Sequence, residues 1–208
     1  MRKQKRESLM FNKLLRGTLF SVIMALLLSA CSVTQEDTPS DANNKISPAN
    51  IEALSEAIST MKSGDSKKAR TQLLELINQQ PNISNAHVNL GITFIKDKSF
   101  SEAENSFNRA LKINPDNIYA LNQLGFLHRK QGHFARAKAS YEKAIDIKPD
   151  YAYAHLNLGI LYDLYLYDLE KAIEQYKIYQ ELSKDEDKQV NKWIFDLERR
   201  LKKSLAPK

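Results

Sequence analysis

Residues 87–94, 121–128 and 155–162 read HVNLGITF, LNQLGFLH and HLNLGILY. The three stretches lie 34 residues apart, and each has a leucine followed by a glycine near its centre. A fixed period of this length indicates a solenoid of stacked helical pairs, because one pair cannot bury its apolar face without a neighbour. Solenoids present a long concave surface, so the pattern favours a binding protein over an enzyme.

The 34-residue period continues into the residues that follow each stretch. Alanine recurs at two positions, an aromatic residue at one and proline at one: Ala103 and Ala137, Ala110 and Ala144, Phe107 and Tyr141, Pro115 and Pro149. This arrangement resembles the tetratricopeptide repeat, whose pattern is W-x2-L-G-x2-Y…A-x3-F…A…P. The resemblance implies an all-α, right-handed α-solenoid of about four helix pairs over residues 48–185, followed by a capping helix.

Four units follow from the resemblance: 50–83, 84–117, 118–151 and 152–185. The first unit is degenerate but in register. The fourth unit slips by one residue, since its alanine is Ala172 and its aromatic residue is Tyr176. We therefore expect an inserted residue in the turn around 165–168.

Packing within a unit should depend on its glycine, which lets the second helix approach the first closely. We expect Gly125 to lie against the second helix of its own unit. Each second helix should end before its proline, because proline cannot continue a helix. Ser99 with Glu102 predicts a capping box at the start of one second helix, and Asp168 predicts an N-cap for another.

Residues 186–208 break the repeat and predict a capping helix and tail. Val190, Ile194 and Leu197 share one helical face with Trp193, and charged residues surround that face. A solenoid needs such a terminal helix to stay soluble, since its last repeat would otherwise expose an apolar face. We expect Trp193, the only tryptophan, to pack in this cap rather than to bind a ligand.

Residues 1–30 predict a signal peptide. A basic stretch runs to Arg16, and the apolar run over 19–28 is too short to span a bilayer but fits the core of a secretory signal. The run ends in LSAC at 28–31, which resembles a bacterial lipobox. The resemblance implies that Cys31 is lipidated and becomes the first residue of the mature protein. The alternative is an ordinary signal peptide with an incidental cysteine.

Residues 31–47 hold Cys31 and a polar segment without periodicity, which predicts a disordered tether. Ser32 follows the cysteine. If the source has two membranes, the lipoprotein resemblance implies an outer-membrane protein facing the periplasm, because aspartate at this place is the usual inner-membrane retention signal. Met1 and Met10 are alternative starts, and the choice between them does not alter the mature chain.

The net charge does not indicate a nucleic-acid partner. The chain has 31 basic and 25 acidic residues, a net charge of +6. Residues 1–30 hold six basic residues and one acidic residue, which leaves 25 basic and 24 acidic residues in the mature chain. Because the excess lies in the signal peptide, the mature protein lacks the basic balance of a nucleic-acid-binding domain.

The four histidines fit the repeat better than a metal site. His87 and His155 hold the position of the first large aromatic residue, His128 holds the tyrosine position, and His133 lies in a turn. None has the spacing of a metal pair, and no Walker loop, G-x-S-x-G or paired nucleophile and base is visible. We therefore expect a protein that is not an enzyme and has no cofactor, metal or small-molecule substrate.

The binding site should lie in the concave groove, which the first helix of each unit lines in this fold. The second and sixth positions of that helix are one turn apart and face the groove. They hold Asn85, Tyr119 and Tyr153, and Asn89, Gln123 and Asn157. Amides donate to and accept from a peptide backbone, and tyrosines add contact area at low entropic cost. The row resembles the asparagine ladder by which some family members hold extended peptides; the alternative is a solvated polar face without a ligand.

The basic clamp that some relatives use for a C-terminal carboxylate is incomplete in this chain. Val88, Ile92 and Tyr119 fill places where the clamp needs polar or charged groups. Ile92, with Phe126 and Ile160 at the same repeat position, predicts a partly apolar groove floor instead.

A second candidate interface is the inserted turn of the tyrosine-rich fourth unit. Tyrosine is enriched at interfaces, which makes Tyr165 and Tyr167 candidates for partner contact. The alternative is that these tyrosines are partly exposed packing residues.

These features predict a membrane-anchored periplasmic scaffold or adaptor with a protein or peptide partner. The chain resembles tetratricopeptide lipoproteins of the bacterial envelope, some of which assist pilus or secretin assembly while others recruit cell-wall hydrolases or proteases. The pilus-assembly relatives usually carry about six repeats, whereas four are visible here. The alternative is a structural or assembly subunit of an envelope complex, such as a pilus or secretin biogenesis system.

Overall fold

The computed structural model describes residues 46–206, and within them all regular secondary structure is helical. Nine α-helices occupy this part of the chain: α1 Pro48–Lys62, α2 Ser66–Gln79, α3 Ser84–Lys96, α4 Phe100–Ile113, α5 Ile118–Lys130, α6 Phe134–Ile147, α7 Ala152–Leu161, α8 Leu169–Leu182 and α9 Lys188–Leu205. The predicted all-α fold is confirmed. The predicted signal peptide, Cys31 and most of the tether lie outside the described residues.

The helices pack as successive pairs, α1 with α2, α3 with α4, α5 with α6 and α7 with α8. Each second helix also contacts the first helix of the next pair, and α9 contacts α8. Among the described residues, the first helices α3, α5 and α7 approach one another more closely than successive second helices do. The first helices therefore lie on the inner side of the solenoid, and the second helices lie on its outer side.

A glycine in each first helix contacts the aromatic residue of the following second helix. A Cβ atom on Gly91 would lie 2.8 Å from Cδ1 of Phe107, and one on Gly159 would lie 2.6 Å from Cδ1 of Tyr176. Both rings are fully buried. Only a residue without a side chain fits such a contact, which explains the strict 34-residue spacing of the glycines.

The two predicted caps have different outcomes. Asp168 caps α8, because its Oδ1 accepts a hydrogen bond of 3.1 Å from the backbone N–H of Lys171. Ser99 stands at the N-cap of α4, but its side chain makes no capping hydrogen bond, so the predicted capping box is wrong. At its ψ of 73° the short hydroxyl does not reach the helix, whereas the longer carboxylate of Asp65, also at ψ 73°, does cap α2.

The histidines at the repeat position of the large aromatic residue hold the chain after each proline turn. His87 Nε2 lies 3.0 Å from the carbonyl oxygen of Pro81, and His155 Nε2 lies 2.8 Å from that of Pro149. A carbonyl only accepts, so each Nε2–H is the donor and each imidazole keeps this proton when neutral. Burial, the largest cause, lowers the pKa of His87.

The inserted residue of the fourth unit lies in a π-helical turn, Tyr162–Leu166, at the end of α7. A π-turn contains one residue more than an α-turn, which accounts for the slip in the period. The turn closes with Tyr167 in the left-handed conformation, at φ 55° and ψ 30°. The extra residue is therefore taken up at the end of the first helix, slightly before the predicted position.

Helix α9 covers the last repeat. Its buried residues Val190, Ile194 and Leu197 join the core formed by α7 and α8. The ring of Trp193 lies 5.5 Å from that of Tyr176, so the expectation that Trp193 packs in the cap is confirmed.

Candidate functional site

The predicted site residues lie on the inner first helices α3, α5 and α7. Asn85, Tyr119 and Tyr153, in the first turns of these helices, are exposed. The exposed fraction is 51% for Tyr119 and 60% for Tyr153, so more than half of each side chain is open to solvent. The second row, Asn89, Gln123 and Asn157, is half-buried one turn further along.

The amide side chains of the second row are only partly used within the protein. Asn89 Nδ2 donates to the carbonyl oxygen of Asn85 at 2.8 Å, which leaves its side-chain oxygen available to accept. Asn157 Nδ2 donates to Oδ1 of the buried Asn122 at 3.0 Å. Asn157 is therefore not fully solvated, because its amide satisfies a buried neighbour.

Asn85 is held in place by a residue that sequence reasoning missed. Asn117 is buried and donates from Nδ2 to Asn85 Oδ1 at 2.9 Å, and its own Oδ1 caps α5 by accepting from Ala120 N at 3.0 Å. One asparagine thus links the start of α5 to the inner face of α3. The available signal was an N-cap residue just before a first helix.

Three tyrosines form an aromatic cluster at the start of α5 and α7. The ring of Tyr151 lies 5.6 Å from that of Tyr119 and 6.3 Å from that of Tyr153, and both pairs are edge-to-face. Burial, followed by the two neighbouring tyrosines, raises the pKa of Tyr151 to about 12. Tyr151 therefore stays neutral and positions the exposed rings of Tyr119 and Tyr153, a role that its place just before α7 did not reveal.

The floor of the inner face is apolar beside the amide row. Ile92, Phe126 and Ile160 are half-buried at the ninth position of their first helices. The guanidinium of Arg129 lies 5.4 Å from the centre of the Phe126 ring, and Lys130 Nζ lies 5.6 Å from it. The inner face thus combines amides, tyrosines, an apolar floor and cations at one edge.

The structure separates the two tyrosines of the inserted turn. Tyr165 is half-buried, and its ring packs 4.8 Å from that of Phe134, so it is largely a packing residue. Tyr167 is 75% exposed, and the neighbouring Leu164 and Leu166 are exposed as well. Of the two candidates, Tyr167 is the one available to a partner, and Leu164, Leu166 and Tyr167 are referred to below as the apolar turn.

Residues 46–206 contain no group of three His, Cys, Asp or Glu side chains placed to hold a metal ion. Over the same range, no helix combines the length and apolarity required to cross a bilayer.

Three family models match overlapping stretches of the repeat region. Residues 84–117 and 106–139 each match a family model described as tetratricopeptide repeat, and residues 127–163 match one described as TPR repeat. These matches show tetratricopeptide repeats over residues 84–163. No curated protein matches its sequence significantly.

Solved structures with this tetratricopeptide fold come from several bacteria. PilF of Pseudomonas aeruginosa superimposes with a TM-score of 0.68 at 19% identity, covering 74% of this chain and 70% of its own. MamA of Desulfovibrio magneticus RS-1 superimposes with a TM-score of 0.60 at 20% identity, covering 75% of this chain and 87% of its own. O-GlcNAc transferase of Thermobaculum terrenum gives 0.59 at 24% identity, covering 64% of this chain but 26% of its own. At these identities the likeness shows the fold alone.

Proposed function

We propose that the protein is a non-enzymatic scaffold that binds an extended segment of a partner polypeptide along its inner face. The observation that carries this proposal is the row of exposed tyrosines and partly free amides on α3, α5 and α7. An extended peptide presents a backbone donor and acceptor at each residue, and the side-chain oxygen of Asn89 and the amide of Gln123 can pair with these groups. Tyr119 and Tyr153 supply rigid contact area beside the row, one turn before Gln123 and Asn157.

Two of the groove amides are held by neighbouring side chains. Asn117 fixes Asn85, and Asn122 fixes Asn157, so both groove amides are oriented before a ligand arrives. Preorganised side chains lose less entropy on binding than free ones, which favours affinity at a small interface.

The location of this scaffold is part of the proposal. We propose that Cys31 carries lipid and that the repeats act at the cell envelope, on the periplasmic side of the outer membrane. The support is the basic stretch, apolar run and LSAC ending of residues 1–31. The partner would then be an envelope protein, held near the membrane by the tether.

A photo-crosslinking experiment tests the peptide-binding proposal. A benzophenone amino acid replaces Tyr119 in one variant, Tyr153 in a second and Lys143, exposed on the outer helix α6, in a control. Tyr119 and Tyr153 should crosslink to the same partner segment in intact cells, because both flank the amide row. Equal crosslinking from Lys143, or different partners at the two tyrosines, would count against an inner-face site.

A permanent subunit of an envelope complex is the second candidate, and the apolar turn favours it. Leu164, Leu166 and Tyr167 are exposed together, and clustered apolar residues on a surface mark contacts with other proteins. A transient adaptor should purify without its partner as a monomer or small oligomer. A permanent subunit should aggregate under the same conditions, because its contact surface would be left uncovered.

A further inference from the structure

Acidic residues are absent from three of the four inner helices; the exception is α1, which contains Glu52 and Glu56. The first helices α3, α5 and α7 contain no aspartate or glutamate, and their Lys and Arg residues are Lys96, Arg129 and Lys130. The second helices α4, α6 and α8 carry the acidic residues: Glu102, Glu104, Glu142, Asp146, Glu170, Glu174 and Glu181. The inner face over these units is therefore free of helical carboxylates.

Three lysines repeat at the end of the inner helices. Lys62, Lys96 and Lys130 are each 34 residues apart, exposed, and in the last residue of α1, α3 and α5. Within residues 46–206, none of them pairs with a carboxylate. We call these three residues the lysine row; in the fourth unit the position is Leu164.

The lysine row lies on the same face as the amides and the apolar floor. Asn89, Ile92 and Lys96 are spaced i, i+3 and i+7, which places them along one side of a helix. The contact of Lys130 with the Phe126 ring confirms this placement in α5. Lys96 Nζ donates to the carbonyl oxygen of Met61 at 3.1 Å, so it reaches across to the end of α1 along the inner edge.

A general preference for cations at helix C-termini does not explain the row. Such a preference acts on every helix through the carbonyl groups of its last turn. The last turns of the outer helices α2, α6 and α8 contain no basic residue, although α4 has Lys112. Basic residues therefore occupy the last turn of three of the four inner helices, but of only one of the four outer helices that pair with them.

The acidic residues that neighbour the row positions in the sequence already have partners. Asp97 pairs with Arg70, Asp65 caps α2, and Asp163 faces Arg200 at 3.6 Å. The lysine row keeps its charge uncompensated, which costs little in water but favours an anionic ligand.

Building on the proposed function, we propose that the lysine row receives the carboxylates of an acidic, partly apolar partner segment lying along the inner face. Adjacent packed helices are separated by about 8–10 Å. In an extended polyproline-II-like segment, every third side chain points the same way at a spacing of about 9 Å. The row therefore selects a segment with acidic residues about three positions apart, while the apolar floor takes residues between them.

The test uses the full-length protein, purified in detergent, and a microarray of short random synthetic peptides. One variant combines Lys62→Gln, Lys96→Gln and Lys130→Gln, because glutamine keeps a donor for the Met61 carbonyl. The matched control combines Lys67→Gln, Lys112→Gln and Lys143→Gln, three exposed lysines of the outer helices with the same total charge change. A third variant, Asn89→Ala with Gln123→Ala, reports on the amide row.

The wild type should enrich acidic peptides with acids about three residues apart, and the control should enrich the same set. The lysine-row variant should bind these peptides about threefold to tenfold more weakly at low salt, with a smaller difference at high salt. Neutral or basic enriched peptides, or equal losses in the control, would overturn the lysine-row proposal.

The outcomes separate this proposal from the proposed function. A first outcome is that peptides bind to the wild type and are lost in the amide variant without any preference for acidic sequences. In that case peptide binding on the inner face is supported, and the lysine-row proposal is contradicted. If no peptide binds, or binding survives in the amide variant, the inner-face function itself is contradicted, and the lysine-row proposal fails with it.

Discussion

The ring of Tyr141 occupies the space that a side chain on Gly125 would need. A Cβ atom on Gly125 would lie 2.6 Å from Cδ1 of this fully buried ring. The expectation that Gly125 lies against the second helix of its unit is confirmed, since Tyr141 belongs to α6. The pair fixes how closely α5 and α6 approach each other.

Substitution of Gly125 should therefore destabilise the fold. Gly125→Leu would overpack the contact with Tyr141 and should cost about 1–3 kcal/mol of unfolding free energy. Lys148→Ala, on an exposed residue just after α6, should change stability by less than about 0.5 kcal/mol. Thermal melts of the two variants measure the difference, and equal melting shifts would contradict the repeat register.

The left-handed residue Tyr167 allows a second stability test. Tyr167→Gly should be more stable than Tyr167→Ala by about 1 kcal/mol, because glycine adopts positive φ without the penalty that alanine keeps. The exposed ring contributes little packing, so its loss is common to both variants. If the alanine variant melts at the same temperature as the glycine variant or above it, the π-helical turn does not close as described.

Protonation of buried histidines should weaken the protein in mild acid. Burial lowers the pKa of both His87 and His128 below the ordinary value of 6.5. Below pH 6.5 the unfolded chain therefore binds protons at these histidines more readily than the folded chain does. The free energy of unfolding keeps its full value above pH 6.5 and falls as the pH drops below that value. Histidine NMR titrations should give pKa values under 6.5 for these two residues; values at or above 6.5 would refute the effect.

Lipidation of Cys31 is tested by mass spectrometry of the mature protein. The mature N-terminus should be Cys31 carrying lipid, and more than one acyl chain is needed for stable anchoring. Cys31→Ser should block lipidation and removal of the signal peptide by the lipoprotein route. An unmodified N-terminus elsewhere in the wild-type protein would refute the lipobox interpretation.

The helical repeats could be read from the sequence because their determinants are local. The glycine, the aromatic residue and the proline each act within one unit, so their spacing reports helix length and pairing directly. The cap at Asp168 was predictable for the same reason, while the failure at Ser99 reflects a hydroxyl too short to cap at a backbone conformation where the longer carboxylate of Asp65 does cap.

The groove was harder to predict, because its geometry depends on contacts between units. Asn117 and Asn122 act on side chains of neighbouring repeats, and Tyr151 acts through two rings from different helices. The half-burial of Tyr165 also follows from Phe134 in the preceding unit. These contacts form only when the repeats stack on one another. The sequence therefore predicts which residues line the groove, but not which side chains hold them in place.

The most direct test of the central claim compares partner capture by two variants in envelope pull-downs. Asn89→Ala with Gln123→Ala removes two groove amides while keeping Asn157, whose loss would leave the buried Asn122 without its partner. Its matched control is Asn78→Ala with Asn108→Ala, two exposed amides of the outer helices. The rival variant is Tyr167→Ala in the apolar turn.

Peptide binding on the inner face predicts that the groove variant melts like the wild type, because partly solvated amides contribute little to stability. Its binding free energy for the partner should weaken by about 1 kcal/mol per amide contact, while the control and the Tyr167→Ala variant should still capture the partner. If the groove variant captures the same envelope proteins at the same yield and Tyr167→Ala loses them, the binding face is the apolar turn and the inner-face account is contradicted.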